Sequence, residues 1–337
     1  MNIVCFYEKE WEKEYLEKQL STDKITFLSG TVQDHPSVSD NNAEILCVFV
    51  NSCIGKEELK RFKNVKLITT RSTGFCHIKT EELKSKKITV CNVPSYGQNT
   101  VAEYAFALLL NVSRKICLAY SKVKSDCFAR EDLQGFDLKG KTIGVIGTGA
   151  IGAYVCQIAE GFGMKILAFD LKENPDVKKI KNAKYTSFEQ LLKNSDIITL
   201  HAPHNKHTHH MINKKNIKNL KKGACLINTA RGGLVQTEAL VQAPEDGIIL
   251  GAGLDVLEEE TSLEEKYETQ LILEPNPDIK NIRITLANHY LIDHPNVIIT
   301  PHNAFNSREA LERILEITVN NIKGFKKGKT SNVVCGN

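Results

Sequence analysis

The sequence predicts an α/β protein built from two doubly wound parallel-sheet domains. Three observations carry this. Short apolar runs alternate with helix-like segments through the first hundred residues, a long amphipathic helix follows, and a second alternating series fills the remainder. A chain of 337 residues is long for one core and natural for two of ordinary size.

In the first part, runs at 3–6, 25–28, 45–50, 67–70 and 88–91 read as buried strands, and segments at 9–20, 56–62 and 80–85 as helices. This is the β-α-β rhythm of a parallel sheet covered on both faces. A single helix is predicted over 100–122, where Val101, Ala105, Leu108, Leu109 and Val112 form a stripe at helical spacing. Its place between two α/β units suggests a connector. The stripe is a candidate homodimer surface, with burial inside its own chain as the alternative. Strand-like runs then recur at 142–146, 165–169, 196–200, 224–228, 248–252 and 297–300. The stretch 258–295 is acidic and irregular and reads as an excursion carrying a short helix. Residues 307–325 read as a closing helix.

Composition narrows the function classes. Lys and Arg exceed Asp and Glu by only four, with no basic stripe interleaved with aromatics, so nucleic acid is not an expected partner. No apolar stretch approaches the ~18 residues a spanning helix needs, so no membrane partner is expected. The run at 3–6 follows no basic segment and is followed by acidic residues, which argues against a signal peptide. The ten cysteines include no C-x-x-C pair, and several, such as Cys47 and Cys225, lie in apolar strand-like runs. They read as free thiols in a reducing cytoplasm rather than as disulfides or zinc ligands.

The strongest local signal is Gly147-Thr148-Gly149-Ala150-Ile151-Gly152, entered from the strand 142–146 and left by a helix-like stretch to Ala159. Gly147 permits the tight turn, Gly149 lets backbone approach a pyrophosphate, and Gly152 lets helix and strand pack closely. The helix N-terminus offers free N–H groups to the phosphates. A second strand ends at Asp170, near the spacing expected for the acid that accepts from both ribose hydroxyls and repels a 2′-phosphate. The expected cofactor is therefore NAD rather than NADP, with Lys172 close enough to soften the rejection.

Three polar islands follow predicted strands in the second part: Asn228-Thr229-Ala230-Arg231-Gly232, Gly253-Leu254-Asp255-Val256 followed by Glu258, Glu259 and Glu260, and Thr300-Pro301-His302-Asn303-Ala304-Phe305. An arginine can grip a carboxylate through two parallel hydrogen bonds. A histidine can protonate a carbonyl oxygen as hydride reaches the carbon, and an acid beside it keeps it protonated. Together they suit hydride transfer to a 2-oxo acid. Singly, each has a bland reading: a surface ion pair, a solvated acidic loop, a structural histidine after proline.

With Thr70-Arg71-Ser72-Thr73-Gly74-Phe75, Val93-Pro94-Ser95-Tyr96 and Val101-Ala102-Glu103, these islands form an ordered set. The set resembles the D-isomer-specific 2-hydroxyacid dehydrogenases over nearly the whole chain, and within them the D-lactate-forming members. The resemblance implies a flavodoxin-like substrate domain of residues 1–98 plus 306–337, a Rossmann NAD domain of residues 99–305, and an active site in the cleft. It implies catalytic Arg231, Glu260 and His302, with Glu260 chosen among three glutamates by its five-residue step from Asp255. It places His201, Ala202, Pro203, Thr208, Thr229, Ala230, Arg231 and Asp255 along the cofactor. It places backbone contacts to the substrate carboxylate near Thr73 and Gly74, and Tyr96 and Phe305 at the substrate side chain.

Two departures stand out: Cys76 where the family usually has Asp, and a longer segment after Glu260. The histidines at 201, 204, 207, 209 and 210 are not expected to hold a metal. His201 falls at a cofactor position, and the others lie on a polar loop where imidazoles are solvated. The expected reaction interconverts pyruvate and D-lactate in a homodimer. Alternatives are a branched-chain 2-oxo acid, glyoxylate or hydroxypyruvate reductase, or a non-catalytic NAD-sensing regulator.

Overall fold

The computed structural model describes residues 1–83, 86–263, 268–269, 271 and 273–335. The chain divides into two compact units, one of Met1–Tyr96 with Ser307–Asn337 and one of Gly97–Asn306.

In the first unit the described residues form a six-stranded sheet: β1 (Asn2–Tyr7), β2 (Lys24–Ser29), β3 (Ile45–Val48), β4 (Leu67–Thr70), β5 (Thr89–Cys91) and β13 (Val333–Cys335), in the order β13-β5-β4-β3-β1-β2. The first five strands pair in parallel, in the doubly wound order 2-1-3-4-5, and β13 closes the β5 edge antiparallel. Alternation sorts the side chains of β1: Val4 and Phe6 enter one buried cluster with Leu59, Phe62 and Ile68, while Ile3 and Cys5 enter the other. The second cluster is completed by Leu16 of the Glu10–Gln19 helix and by Leu315, Val319 and Ile322 of the Arg308–Lys326 helix. Ser307 caps that last helix by accepting from Ala310 N–H. The helix expected at 56–62 is a single 3-10 turn, Glu58–Lys60, and that at 80–85 is Thr80–Leu83, positions 84 and 85 lying outside the described residues.

In the second unit the described residues form a seven-stranded parallel sheet: β6 (Thr142–Ile146), β7 (Lys165–Phe169), β8 (Ala183–Tyr185), β9 (Ile197–Leu200), β10 (Ala224–Asn228), β11 (Ile249–Leu254) and β12 (Val297–Ile299). The order is β12-β11-β10-β9-β6-β7-β8, so the winding reverses between β6 and β9. Open parallel sheets bind ligands at the carboxyl ends beside such a switch point.

Two expectations change here. The helix predicted over 100–122 is two helices, Gln98–Arg114 and Ile116–Lys124, separated by Lys115 at φ 52°. Asn111 sets the break: its backbone carbonyl accepts from Lys115, and its side-chain oxygen accepts from Cys117 N–H at 2.9 Å. The stripe of Val101, Ala105, Leu108 and Leu109 is buried in the unit's own chain, most of it in one cluster with Ile143, Val145 and Val155. The stretch 258–295 carries a fifteen-residue helix, Ile279–Asp293, capped by Asp278. It buries Ile284, Asn288 and Leu291, so it belongs to the core more than an excursion would. Its weak amphipathicity hid it, since polar Asn288 and Thr285 point inward.

Candidate active site

The register of the second sheet aligns the candidate residues. Ile146 pairs with both Phe169 and Leu200, Asn228 with Leu200 and Leu254, and Leu254 with Ile299. Gly147, Asp170, His201, Thr229, Asp255 and Thr300 each follow one of these ends. They therefore form one row across the carboxyl edge, neighbours about 4.8 Å apart.

The glycine turn is sterically obligatory at two of its three positions. Gly147 has φ 90°, and a Cβ there would lie 2.6 Å from the backbone of His201 and Ala202. A Cβ on Gly152 would lie 1.9 Å from the carbonyl oxygen of Gly147, so helix and strand touch backbone to backbone. At Gly149 a Cβ would meet nothing within 4 Å. The space that glycine leaves is open to an incoming group, over the N-terminus of the Ala150–Gly161 helix. Ala150 is exposed and Ile151 half-buried there.

Asp170 sits at the tip of β7 with Oδ2 accepting from Thr148 N–H at 2.6 Å and from the Thr148 hydroxyl at 3.2 Å. Oδ1 accepts from Lys172 N–H at 3.2 Å. The carboxylate is anchored with lone pairs to spare. His201 leans back on the Thr199 hydroxyl at 2.8 Å, and burial pushes its imidazole down to about 3, so it is neutral. Ala202 and Pro203 lead into a turn closed by the Thr208 hydroxyl, which donates to Pro203 O at 2.6 Å. At the end of β10 the hydroxyl oxygen of Thr229 is buried with no partner among the described residues. A buried hydroxyl without a partner is costly, and on this row a bound dinucleotide or its water is the natural partner. The open cradle, the anchored acid and the orphan hydroxyl all fit NAD.

His302, Glu260 and Arg231 come together on the same side. His302 Nδ1 lies 2.7 Å from Glu260 Oε1, and the imidazole is 48% exposed. The hydrogen bond to Glu260 raises its pKa above the ordinary value, while burial and the charge of nearby Arg231 oppose the rise. The histidine occupies a left-handed backbone conformation, φ 51°, unusual for a residue with a Cβ. Asp255 over-determines that conformation. Its carbonyl accepts from His302 N–H at 2.9 Å, and its carboxylate accepts from the Thr300 hydroxyl, Asn303 N–H and Ala304 N–H. Asp255 is thus tied to the histidine loop through both carboxylate oxygens.

The three consecutive glutamates face three environments. Glu258 is buried, accepting from Thr237 and sitting 2.6 Å from His210 Nε2. Glu259 is exposed at φ 52°. That turn brings Glu260 back to accept from Leu257 N–H and to meet His302. Arg231 is exposed, its guanidinium donating to Ala230 O at 2.6 Å, with no carboxylate against it among the described residues. Asn228 holds the turn beneath it, accepting from Ala230 N–H and donating to Arg231 O.

In the first unit, Thr73 is exposed and Gly74 half-buried on the turn after β4. Tyr96 is half-buried, its carbonyl accepting from Arg313 Nε; Phe305, in the second unit, is half-buried as well.

The histidine loop differs from its expectation. His204 Nε2 lies 3.1 Å from His209 Nδ1, His209 stacks on His210 at 3.8 Å, and His210 ends on Glu258. These imidazoles are engaged, not simply solvated. No group of His, Cys, Asp and Glu among the described residues converges as metal ligands would. The Glu258–His210 pair escaped sequence reasoning because 48 residues separate the partners. Its one local sign was the run of adjacent glutamates, which reads equally as a solvated loop.

Comparison with known proteins identifies the family. Residues 106–304 match the family described as D-isomer specific 2-hydroxyacid dehydrogenase, NAD binding domain. The chain is 37% identical over 330 residues to 2-hydroxyacid dehydrogenase homolog 1 of Schizosaccharomyces pombe, covering 96% of each. It is 37% identical over 291 residues to an aromatic 2-oxoacid reductase of Clostridium sporogenes, covering 85% of this chain and 84% of that protein. Among solved structures, D-lactate dehydrogenase from Aquifex aeolicus, complexed with NAD and lactic acid, matches over the full length of both chains with 37% identity and a TM-score of 0.82. The chain belongs to the D-isomer-specific 2-hydroxyacid dehydrogenases, enzymes that use NAD.

Proposed function

We propose that this enzyme interconverts pyruvate and D-lactate. The observation that carries the chemistry is the His302–Glu260 pair beside Arg231, whose charge meets no carboxylate among the described residues. Bound NADH supplies the hydride. Arg231 grips the substrate carboxylate through two parallel hydrogen bonds. His302 presents Nε2 to the carbonyl oxygen and gives up its proton as that oxygen becomes a hydroxyl. Glu260, on Nδ1, fixes the tautomer and holds the ring protonated beforehand. In lactate oxidation the same imidazole, neutral, takes the hydroxyl proton.

The remaining assignments are ours as well. The turn at Thr73 and Gly74 supplies backbone N–H donors to the carboxylate. Gly147, Gly149, Ala150, Ile151 and Gly152 cradle the pyrophosphate; Asp170 takes the adenosine ribose; and His201, Ala202, Pro203, Thr208, Thr229 and Ala230 line the rest of the cofactor. Tyr96 and Phe305 face the substrate side chain and leave room for a methyl group. The relative crystallised with NAD and lactic acid supports pyruvate as the substrate. The aromatic 2-oxoacid reductase of C. sporogenes favours a second reading, a larger pocket taking phenylpyruvate. Pocket discrimination of this kind is worth only ~1–3 kcal/mol, so a few side chains decide it. We assign the enzyme to the cytoplasm, where its ten free cysteines stay reduced.

The test is NADH oxidation with pyruvate, 2-oxobutyrate, 2-oxoisocaproate, glyoxylate, hydroxypyruvate and phenylpyruvate, followed by chiral analysis of the product. Pyruvate should give the highest kcat/KM and D-lactate the only enantiomer. L-lactate, or a bulky 2-oxo acid clearly ahead of pyruvate, would reject the assignment. No turnover with any of them, despite NADH binding, would point to an NAD-sensing regulator.

A further inference from the structure

The turn carrying Thr73 and Gly74 is tied down by its carbonyl oxygens. Ser72 Oγ donates to Gly74 O at 2.7 Å, and Asn92 Nδ2 donates to Thr73 O at 2.8 Å. The Thr73 hydroxyl reaches across to Val93 O at 2.7 Å. With the carbonyls turned onto the protein, the N–H groups of Thr73, Gly74 and Phe75 have no acceptor among the described residues. Successive free N–H groups on a held turn form a receptor for an anion.

Asn92 is itself held. Its carbonyl accepts from Asn321 Nδ2 at 2.9 Å, and its N–H donates to Asn332 O at 3.1 Å. Asn321 is fully buried on the Arg308–Lys326 helix, on a face whose other buried residues are apolar apart from Thr318. Its Oδ1 accepts from Asn332 Nδ2 at 2.8 Å and from Ser331 Oγ at 3.4 Å. Packing alone would be served by leucine at this position. A buried amide is tolerated only where its donor and acceptor are both satisfied, and both are spent on the residue that follows β5 and the two that lead into β13.

We propose that Asn321 is a positioning residue for the carboxylate-binding turn. It fixes Asn92, whose amide fixes the Thr73 carbonyl and so aims the N–H groups of Thr73, Gly74 and Phe75 at the substrate. This rests on the reading of that turn as a carboxylate site. The relay couples the segment leading into β13, through one helix, to substrate affinity, and none of its members is assigned to the cofactor.

The test uses the full-length enzyme and four readouts: pyruvate KM, kcat, the inhibition constant of oxamate, and NADH Kd by fluorescence. Asn321→Leu should raise pyruvate KM and the oxamate constant together by roughly 3- to 10-fold, the worth of one hydrogen bond, with NADH Kd within twofold of the parent. Asn332→Gly keeps the left-handed backbone that Asn332 adopts at φ 56° and removes only the side-chain donor. It should move the same two constants in the same direction by a smaller factor while leaving the thermal midpoint near the parent value. Should Asn321→Leu fail to fold, the Asn332→Gly result decides alone. Unchanged KM and oxamate inhibition in the folded variants, or NADH Kd weakening in step with them, overturns the relay. Gly74→Pro, which deletes one N–H of the turn, separates the two ideas. A raised KM in Gly74→Pro with none in the asparagine variants rejects the relay and keeps the carboxylate reading. No rise in Gly74→Pro rejects both.

Discussion

His302 holds its imidazole 2.7 Å from the Glu260 carboxylate while its own backbone sits at φ 51°. The acid raises the pKa of the histidine, and burial and Arg231 oppose it. In the proposed mechanism reduction uses the protonated ring, so the raised pKa should extend pyruvate reduction to higher pH. Removing the acid reverses this. Glu260→Gln should move the alkaline limb of the kcat/KM profile for pyruvate to lower pH, and the acidic limb of lactate oxidation to lower pH as well. A pH–rate series on parent and variant checks it, and superimposable profiles would reject Glu260 as the partner.

On the roles proposed for them, Arg231 and His302 should fail in different ways. Arg231→Lys keeps the charge but loses the two-pronged grip, and misplacing the substrate by an ångström costs on the order of 10²-fold in kcat/KM. His302→Ala removes the proton donor, worth ~10²–10⁴-fold in the chemical step. NADH titration should show unchanged affinity in the histidine variant. A substantial loss of NADH binding there would make His302 a cofactor residue instead.

Asp170 is anchored by Thr148 at the tip of β7. A carboxylate fixed beside a ribose repels a 2′-phosphate. The parent should strongly prefer NADH, and Asp170→Ala should narrow the ratio of kcat/KM for NADH over NADPH by about tenfold or more, the equivalent of ~1.4 kcal/mol. Steady-state kinetics with both cofactors decides this; parity in the parent would remove the role given to Asp170.

A homodimer remains our proposal, on different residues from those the sequence suggested. The 100–112 stripe is consumed in its own core, whereas the Ile116–Lys124 helix exposes Ile116, Tyr120 and Val123, with Phe128 close behind in sequence. Exposed apolar side chains at helical spacing suit a second copy of the chain. Light scattering should give a dimer, and Tyr120→Glu should shift it toward monomer. A concentration-independent monomeric parent would end the proposal.

The parts legible in the sequence were those whose chemistry is local. The glycine turn and Asp170 each follow an apolar run directly, so strand-end position and residue type marked them as candidates, whereas His302, set off from its run by Thr300 and Pro301, read singly as structural and drew its catalytic reading from the family resemblance. The choice of Glu260 needed family resemblance, because nothing in Glu258-Glu259-Glu260 says which acid turns back. Glu259 at φ 52° makes that turn, and backbone handedness at a non-glycine residue leaves no mark in the sequence. The break at Lys115 was hidden for the same reason, in a segment with helical periodicity on both sides. Pairs distant in sequence were not legible at all. Asn92 and Asn321 are 229 residues apart, and an asparagine on an amphipathic helix otherwise reads as exposed.

The closing helix and strand have a consequence for synthesis. The five parallel strands of the first unit are made first, yet Leu315, Val319 and Ile322 cover one face of that sheet, and β13 covers its edge. Between them the ribosome must add about two hundred residues that form a unit of their own. The nascent first sheet waits, one apolar face bare, while the second unit becomes able to fold. Such an exposed face is where a chain under synthesis adheres to chaperones or to its neighbours.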